Sequence, residues 1–188
     1  MLDFIFIHGA PGTGKSTLAK SLSERLKSPY FEFGWIPEFR DRLTGNLTYE
    51  EEEQFSFENL ALILKNYVKR GFGNIVVTDL REPIIQQIPQ KFSRHRYLLV
   101  TLTVDDDKIL KSRVLDETRS SGYRDWETAL KINQELFNRP LMRHEFRLDS
   151  TYKTVEELTE NVIKIIRLAG NLTHRDDAVA NPLEVFHH

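Results

Sequence analysis

The pattern of apolar residues predicts an α/β protein, a parallel sheet covered by helices on both faces. Three observations carry that expectation. Short runs such as Phe4-Ile5-Phe6-Ile7, Ile75-Val76-Val77 and Leu98-Leu99-Val100 are apolar at every position, so their strands are buried on both sides. Between them lie longer segments whose apolar residues recur every three or four positions, the period of a helix with one buried face. The two kinds of segment alternate, as the crossover connections of a parallel sheet require.

The elements follow in order. Leu2 to His8 reads as the first strand, and the helix after it carries Leu18, Leu22 and Leu26 on one face. Ser28-Pro29 breaks that helix, Tyr30 to Phe33 reads as a short strand, and Gly34 to Pro37 as a turn. A short helix is expected over Glu38 to Leu43. Thr48 with Glu51 forms a capping box for a helix that carries Phe57, Leu60, Ala61, Leu64, Tyr67 and Val68 and ends at Arg70-Gly71. Asn74 to Asp79 is the next strand, followed by a short helix over Glu82 to Gln90 that Pro89 interrupts. Tyr97 to Val104 is a third buried strand, and Asp105 is expected to cap a helix reaching Asp116. Asp125 starts a helix with Ala129, Ile132, Leu136 and Phe137 inward, stopping at Arg139-Pro140. Glu145 to Asp149 is a weak final strand. Thr154 and Glu157 form a second capping box, opening a helix with Gly170 just past its end. One domain over 1–170 and a tail over 171–188 are expected.

A chain of 188 residues, 40% hydrophobic and 29% charged, has the composition of an ordinary soluble domain. Its formal net charge of -2 offers no broad basic surface, which argues against nucleic acid, and no polybasic tract for a membrane. Without cysteine there are no disulfides and no thiolate metal sites. No signal peptide or membrane span is evident, so a cytoplasmic protein is expected, a monomer or a homodimer.

The residues that carry chemistry begin where the first strand ends. Gly9-Ala10-Pro11-Gly12-Thr13-Gly14-Lys15-Ser16 is a complete G-x-x-x-x-G-K-S between a buried strand and an amphipathic helix, the context a phosphate-binding loop requires. Glycines let backbone N–H groups turn toward phosphate oxygens, and the positive end of the helix dipole adds attraction. Lys15 reaches the β- and γ-phosphates, and the Ser16 hydroxyl ligates Mg²⁺. A nucleoside triphosphate is the expected ligand. Asp79, at the end of a neighbouring central strand, is placed to hold Mg²⁺ through water; the plain alternative is an acid that only makes a turn. Leu80 follows it rather than the glutamate of motor-type ATPases, and no Asn-Lys-x-Asp reads guanine. A basic segment follows the third central strand: Lys111, Arg113, Arg119 and Arg124, with Gly122 and Tyr123 between the last two. Mobile arginines there would close over the transferred phosphoryl group. A solvated loop, with Arg113 paired to Glu117 one turn on, is the competing reading.

With these motifs in this order, residues 2–169 resemble the nucleotide-kinase-like branch of P-loop kinases, which includes adenylate, shikimate and gluconate kinases and chloramphenicol phosphotransferase. The resemblance implies the three-layer P-loop NTPase fold, with a five-stranded parallel sheet of order 2-3-1-4-5. It also implies ATP with Mg²⁺ as phosphoryl donor, a small-molecule acceptor, and a lid of about residues 118–124. Gly9 to Thr17 would hold the nucleotide phosphates. Arg119 and Arg124 would clamp phosphate, with Arg113 behind them, and the loop after Leu148-Asp149 would contact adenine. Lys15, Asp79, Arg119, Arg124 and Glu38 are the catalytic candidates; Trp35, Glu38, Arg40 and Arg81 are the acceptor-site candidates, with Glu38 as a helix-start acid and Arg81 paired to Glu82 or Glu38 as the plain alternatives. One departure stands out. Relatives carry an aspartate just after the second strand, whereas Phe33-Gly34-Trp35-Ile36-Pro37-Glu38 has none, which leaves Glu38 or Asp79 as the base. Two other functional classes compete: a nucleotide-binding switch without an acceptor, and a polynucleotide 5′-hydroxyl kinase.

Overall fold

A computed structural model of the chain describes residues 1–36, 47–118 and 121–171. Its frame is a sheet of five strands: β1 (Phe4–Gly9), β2 (Tyr30–Glu32), β3 (Ile75–Thr78), β4 (Tyr97–Thr103) and β5 (Glu145–Asp149). They lie in the order β2-β3-β1-β4-β5 and every neighbouring pair is parallel. This is the order and orientation that the resemblance implied.

The helices are α1 (Lys15–Leu26), α2 (Tyr49–Lys69), α3 (Glu82–Ile85), α4 (Ile88–Lys91), α5 (Asp107–Leu115), α6 (Trp126–Asn138) and α7 (Val155–Asn171). Alternation along the strands sends side chains to two separate cores. On one face Phe4, Phe6, Ile75, Val77, Tyr97 and Leu99 meet Phe57, Leu60 and Leu64 of α2 and Ile84, Ile85 and Ile88 of α3 and α4. On the other, Ile5, Ile7, Val76, Leu98, Val100 and Leu102 meet Leu18 and Leu22 of α1 and Leu158 and Val162 of α7. A smaller cluster of Val104, Leu110, Val114 and Ala129 joins α5 to α6.

Local chemistry set most element ends as expected. Both capping boxes form: Glu51 N–H donates to Thr48 Oγ1 at 3.3 Å, and Glu157 N–H to Thr154 Oγ1 at 3.2 Å. Other boundaries moved. Asp106, not Asp105, caps α5, accepting from the Lys108 and Ile109 amides. Pro89 lies in the first turn of α4 and so begins that helix instead of interrupting one; the break falls at Gln86-Gln87. Gly170 lies inside the last turn of α7, not beyond it. On α6, Phe137 is 48% exposed, while Asn133 is buried and bonds both the Val104 amide and carbonyl. Phe33 leaves β2 for a single 3₁₀ turn over Phe33–Trp35. The expected helix over Glu38 to Leu43 and the tail beyond Asn171 lie outside the described residues.

The face that carries α2 turns polar toward the carboxyl edge of the sheet. Arg139, just past α6, makes a two-pronged pair with the enclosed carboxylate of Glu145, with both N–O distances 2.7 Å. Thr101 and the Met142 amide donate to the same carboxylate. Arg139 Nε also lies 3.0 Å from Glu82 Oε1, and Glu82 Oε2 lies 2.7 Å from Nε2 of buried His8. Burial alone would push the Glu145 carboxyl up. The Arg139 donors, the Met142 amide, Thr101 and the Arg139 charge outweigh it and hold the group below its ordinary value. The stability it contributes is complete above the unfolded glutamate pKa of about 4.3 and is lost as pH falls through the lower folded value. Glu145→Gln should therefore cost about 1.5–3 kcal/mol at pH 7, since half-buried Arg139 keeps Glu82 but loses its two-pronged charged partner. Urea unfolding of both proteins checks this: the gap between them should narrow by pH 3.

Candidate functional site: the phosphate loop and the carboxyl edge of the sheet

β1 ends at Gly9, where the chain turns with φ 147°. A β-carbon there would lie 2.6 Å from both Leu102 O and Thr13 Oγ1, so only glycine lets the loop leave the strand so close to β4. The loop then folds on Ala10, whose carbonyl accepts from Thr13 Oγ1 at 2.9 Å and from Lys15 Nζ at 3.0 Å. Gly14 caps α1 with φ 93°. It is exposed, and Lys15 and Ser16 follow it half-buried, so the first turn of α1 is reachable from solvent. Pro11 and Gly12 are half-buried on the loop's crest, and Thr17 is exposed.

Asp79 follows β3 in a left-handed conformation, φ 71°, one an aspartate tolerates better than most residues do. The turn at Gly34 passes over it; a β-carbon on Gly34 would lie 3.7 Å from Asp79 Oδ2. The residue is open to the cleft, yet burial is the largest influence on its carboxyl and raises its pKa; the Lys15 charge lowers it and the Glu32 charge raises it again. Lys15, Asp79 and Glu32 thus share one electrostatic neighbourhood.

Glu32 is the functional candidate that sequence reasoning missed. It ends β2 opposite Thr78, accepts from the Tyr30 hydroxyl, and lies 3.8 Å from Lys20 Nζ. Burial first, then the bond to and charge of Glu32, push the Tyr30 phenol far above its ordinary pKa, so it remains a donor. The Tyr30 ring meets Trp35 edge-on at 5.2 Å, and Trp35 is 56% exposed. A signal was available: Tyr30 and Glu32 are two apart at the carboxyl end of a strand, hence on one face and beside Asp79.

The other expected site residues are less gathered. Arg81 lies 3.5 Å from Glu53 and stacks over Tyr49 at 5.0 Å, so its partners are on α2 and not Glu82. Arg124 donates to the carbonyls of Ser121 and Tyr123, at 2.7 and 2.9 Å. Lys111 Nζ sits 3.7 Å from the Trp126 ring centre. Arg113 reaches the Ser150 and Thr151 carbonyls at 3.0 and 2.8 Å rather than Glu117. Glu38, Arg40 and Arg119 lie outside the described residues.

The donors around Ser16 are hydroxyl and carboxylate oxygens, the hard ligands Mg²⁺ prefers. No group of three or more metal-ligating side chains occurs among the described residues. None of the described helices is long and apolar enough to cross a membrane.

A family model described as an AAA domain matches residues 5–132, which takes in the phosphate loop, Asp79 and the start of α6. The chain belongs to this family. It is a P-loop protein of nucleotide-kinase-like type. An adenylate kinase of Ruminiclostridium cellulolyticum is 32% identical over 130 residues, covering 64% of this chain and 59% of that protein. The chain thus spans less than two thirds of that relative. An adenylate kinase isoenzyme 6 homolog of Caenorhabditis elegans is 26% identical over 181 residues and 88% of each chain. Among solved structures, a gluconokinase from Sinorhizobium meliloti 1021 superposes with a TM-score of 0.62 at 18% identity, over 89% of this chain and 93% of its own. At that identity the likeness speaks for the fold.

Proposed function

We propose that this AAA-domain protein is a cytoplasmic phosphotransferase that moves the γ-phosphoryl group of ATP, with Mg²⁺, to a hydroxyl or phosphate of a small molecule. The observation that carries the reading is the convergence of Lys15, Asp79 and Glu32 beside a complete phosphate loop, in a chain whose relatives include adenylate kinases.

The amides from Gly9 to Thr17 cradle the phosphates, and Lys15 trades its bond to the Ala10 carbonyl for the β- and γ-phosphate oxygens. Ser16 and Asp79 would hold the metal, which would supply positive charge against the phosphates. An acceptor hydroxyl attacks in line and gives its proton to a carboxylate. Asp79 and Glu32 are the described candidates. Burial raises the Asp79 carboxyl, the Lys15 charge lowers it and the Glu32 charge raises it again, while a bound cation would lower it further. Trp35 walls the acceptor pocket, with Glu38 and Arg40 following it in the chain. Arg119 and Arg124 close over the transferred group from the 118–124 lid, while Arg81, already engaged by Glu53, shapes the wall more than it binds.

Lys15→Ala should lower turnover at least about a hundredfold while thermal unfolding stays near wild type, because one charge facing the β/γ-phosphates is removed. Near wild-type ATP consumption in the variant would overturn the assignment. Asp79→Asn should raise the Mg²⁺ concentration for half-maximal rate severalfold; a titration superimposed on wild type would leave Asp79 a turn residue. Arg124→Ala should lower kcat more than it weakens ATP binding, since the charge it meets develops in the transition state. Equal kcat in variant and wild type would remove the lid arginine. A screen of ATP consumption over nucleoside monophosphates, nucleosides, sugars and amino alcohols identifies the acceptor.

A further inference from the structure

Ser150 follows β5 and is 1% exposed, yet its hydroxyl is fully engaged. Ser150 Oγ lies 3.0 Å from the Thr13 carbonyl, 137 residues away in the phosphate loop, and 3.0 Å from the Thr103 carbonyl at the end of β4. A serine hydroxyl has one proton. Thr103 O already accepts the Ser150 amide at 2.8 Å, so the bond that no other group duplicates is the one to Thr13. The ladder of α1 does not use that carbonyl: its first acceptor is Gly14 O, 2.9 Å from the Leu18 amide.

In a trans peptide the carbonyl of one residue and the N–H of the next point in opposite directions. The chain has no cis peptide among the described residues. Drawing the Thr13 carbonyl inward to buried Ser150 therefore turns the Gly14 N–H outward, toward the solvent to which Gly14 is exposed. Donation to the carbonyl also polarises the amide and strengthens its N–H as a donor. We propose that Ser150 is a positioning residue for the phosphate loop: its hydroxyl fixes the plane of the Thr13–Gly14 peptide so that the Gly14 N–H meets a phosphate oxygen.

Ser150 is itself held. Arg113 of α5 donates to its carbonyl and to that of Thr151, and the Thr151 hydroxyl accepts the Asp105 amide at 2.8 Å. The guanidinium and the Asp105 amide thus fix the loop carrying Ser150 to α5 and to the β4–α5 connection. Arg113 serves the nucleotide indirectly, by holding the residue that aims an amide at it.

This inference rests on the nucleotide-binding reading, and the test separates the two. Inorganic tripolyphosphate is the probe, since the Gly14 N–H meets phosphate and not the base. In ¹⁵N–¹H spectra of the full chain, tripolyphosphate with Mg²⁺ should move the wild-type Gly14 amide strongly downfield. In Ser150→Ala that displacement should shrink by about half while the Lys15 and Ser16 amides respond as before, and tripolyphosphate affinity should fall about tenfold, the loss of one hydrogen bond. Ser150→Ala with wild-type affinity and an undiminished Gly14 shift overturns the proposal. Failure of wild type to bind the probe or ATP overturns the nucleotide reading, and the positioning role with it. If Ser150→Ala does not fold, Ser150→Cys keeps a weaker donor of similar size: an intermediate loss at Gly14 supports the role, and wild-type behaviour refutes it.

Discussion

Burial of β1 on both faces is the constraint from which the rest follows. Phe4 and Phe6 are sealed under α2 and α4, and Ile5 and Ile7 under α1 and α7, so this strand can meet a ligand only at its end. That end is where backbone N–H groups stop pairing with neighbouring strands and become free to bind something else. A loop of small residues fits there because Leu102 and Thr13 leave no room for a side chain on Gly9. The neighbouring strands then deliver their own terminal residues to the same edge: Asp79 from β3, Glu32 from β2 and Ser150 from β5. Parallel order makes this convergence unavoidable, since every strand ends on the same side.

How much of this was legible in the sequence depends on the range of the force involved. Burial periodicity and capping are local, so the strands, both capping boxes and the face of α2 could be read directly, and the phosphate loop with its strand and helix is local as well. Element ends were less secure: choosing Asp106 over Asp105 as cap turns on which carboxylate reaches two amides, a matter of a fraction of a turn. Long-range partners could not be read at all. Nothing near Arg113 says that its guanidinium passes over Glu117 to reach carbonyls 37 and 38 residues on. Glu32 lies between these cases. Its face followed from alternation, but its closeness to Asp79 required knowing that β2 pairs with β3.

The polar groups of the molecule divide by how well they are matched. Glu145 is enclosed and meets Arg139, Thr101 and an amide, so its charge is held at every side. Asp79 and Glu32 are like charges set near one another, with the Lys15 and Lys20 cations beside them among the described residues. Burial first, and the Glu32 charge after it, disfavour the charged form of Asp79 where the structure gains no stability from it. Such mismatched charge persists where a ligand supplies what is missing, here a cation or an acceptor proton under the proposed function. The matched network belongs to folding and the mismatched pair to chemistry, and His8, next to Gly9 and bonded to Glu82, lies on the border between them.

The arginines sort by the same argument. Arg113 spends its donors on two partly buried carbonyls, and pulling it away would leave both acceptors and the loop that carries Ser150 unheld. Arg124 spends its donors on the carbonyls of its own segment, where water can take its place at small cost. A bond from a guanidinium to a phosphate oxygen pairs two charges, whereas its bond to a carbonyl carries charge on the donor alone. Exchange is thus favourable for Arg124 and unfavourable for Arg113. If a phosphate-clamping arginine comes from this part of the chain, free energy selects the residue whose present partners are the easiest to give up. Under the proposed function the fixed arginine of α5 belongs to the floor of the nucleotide site, and the exchangeable one is the lid candidate.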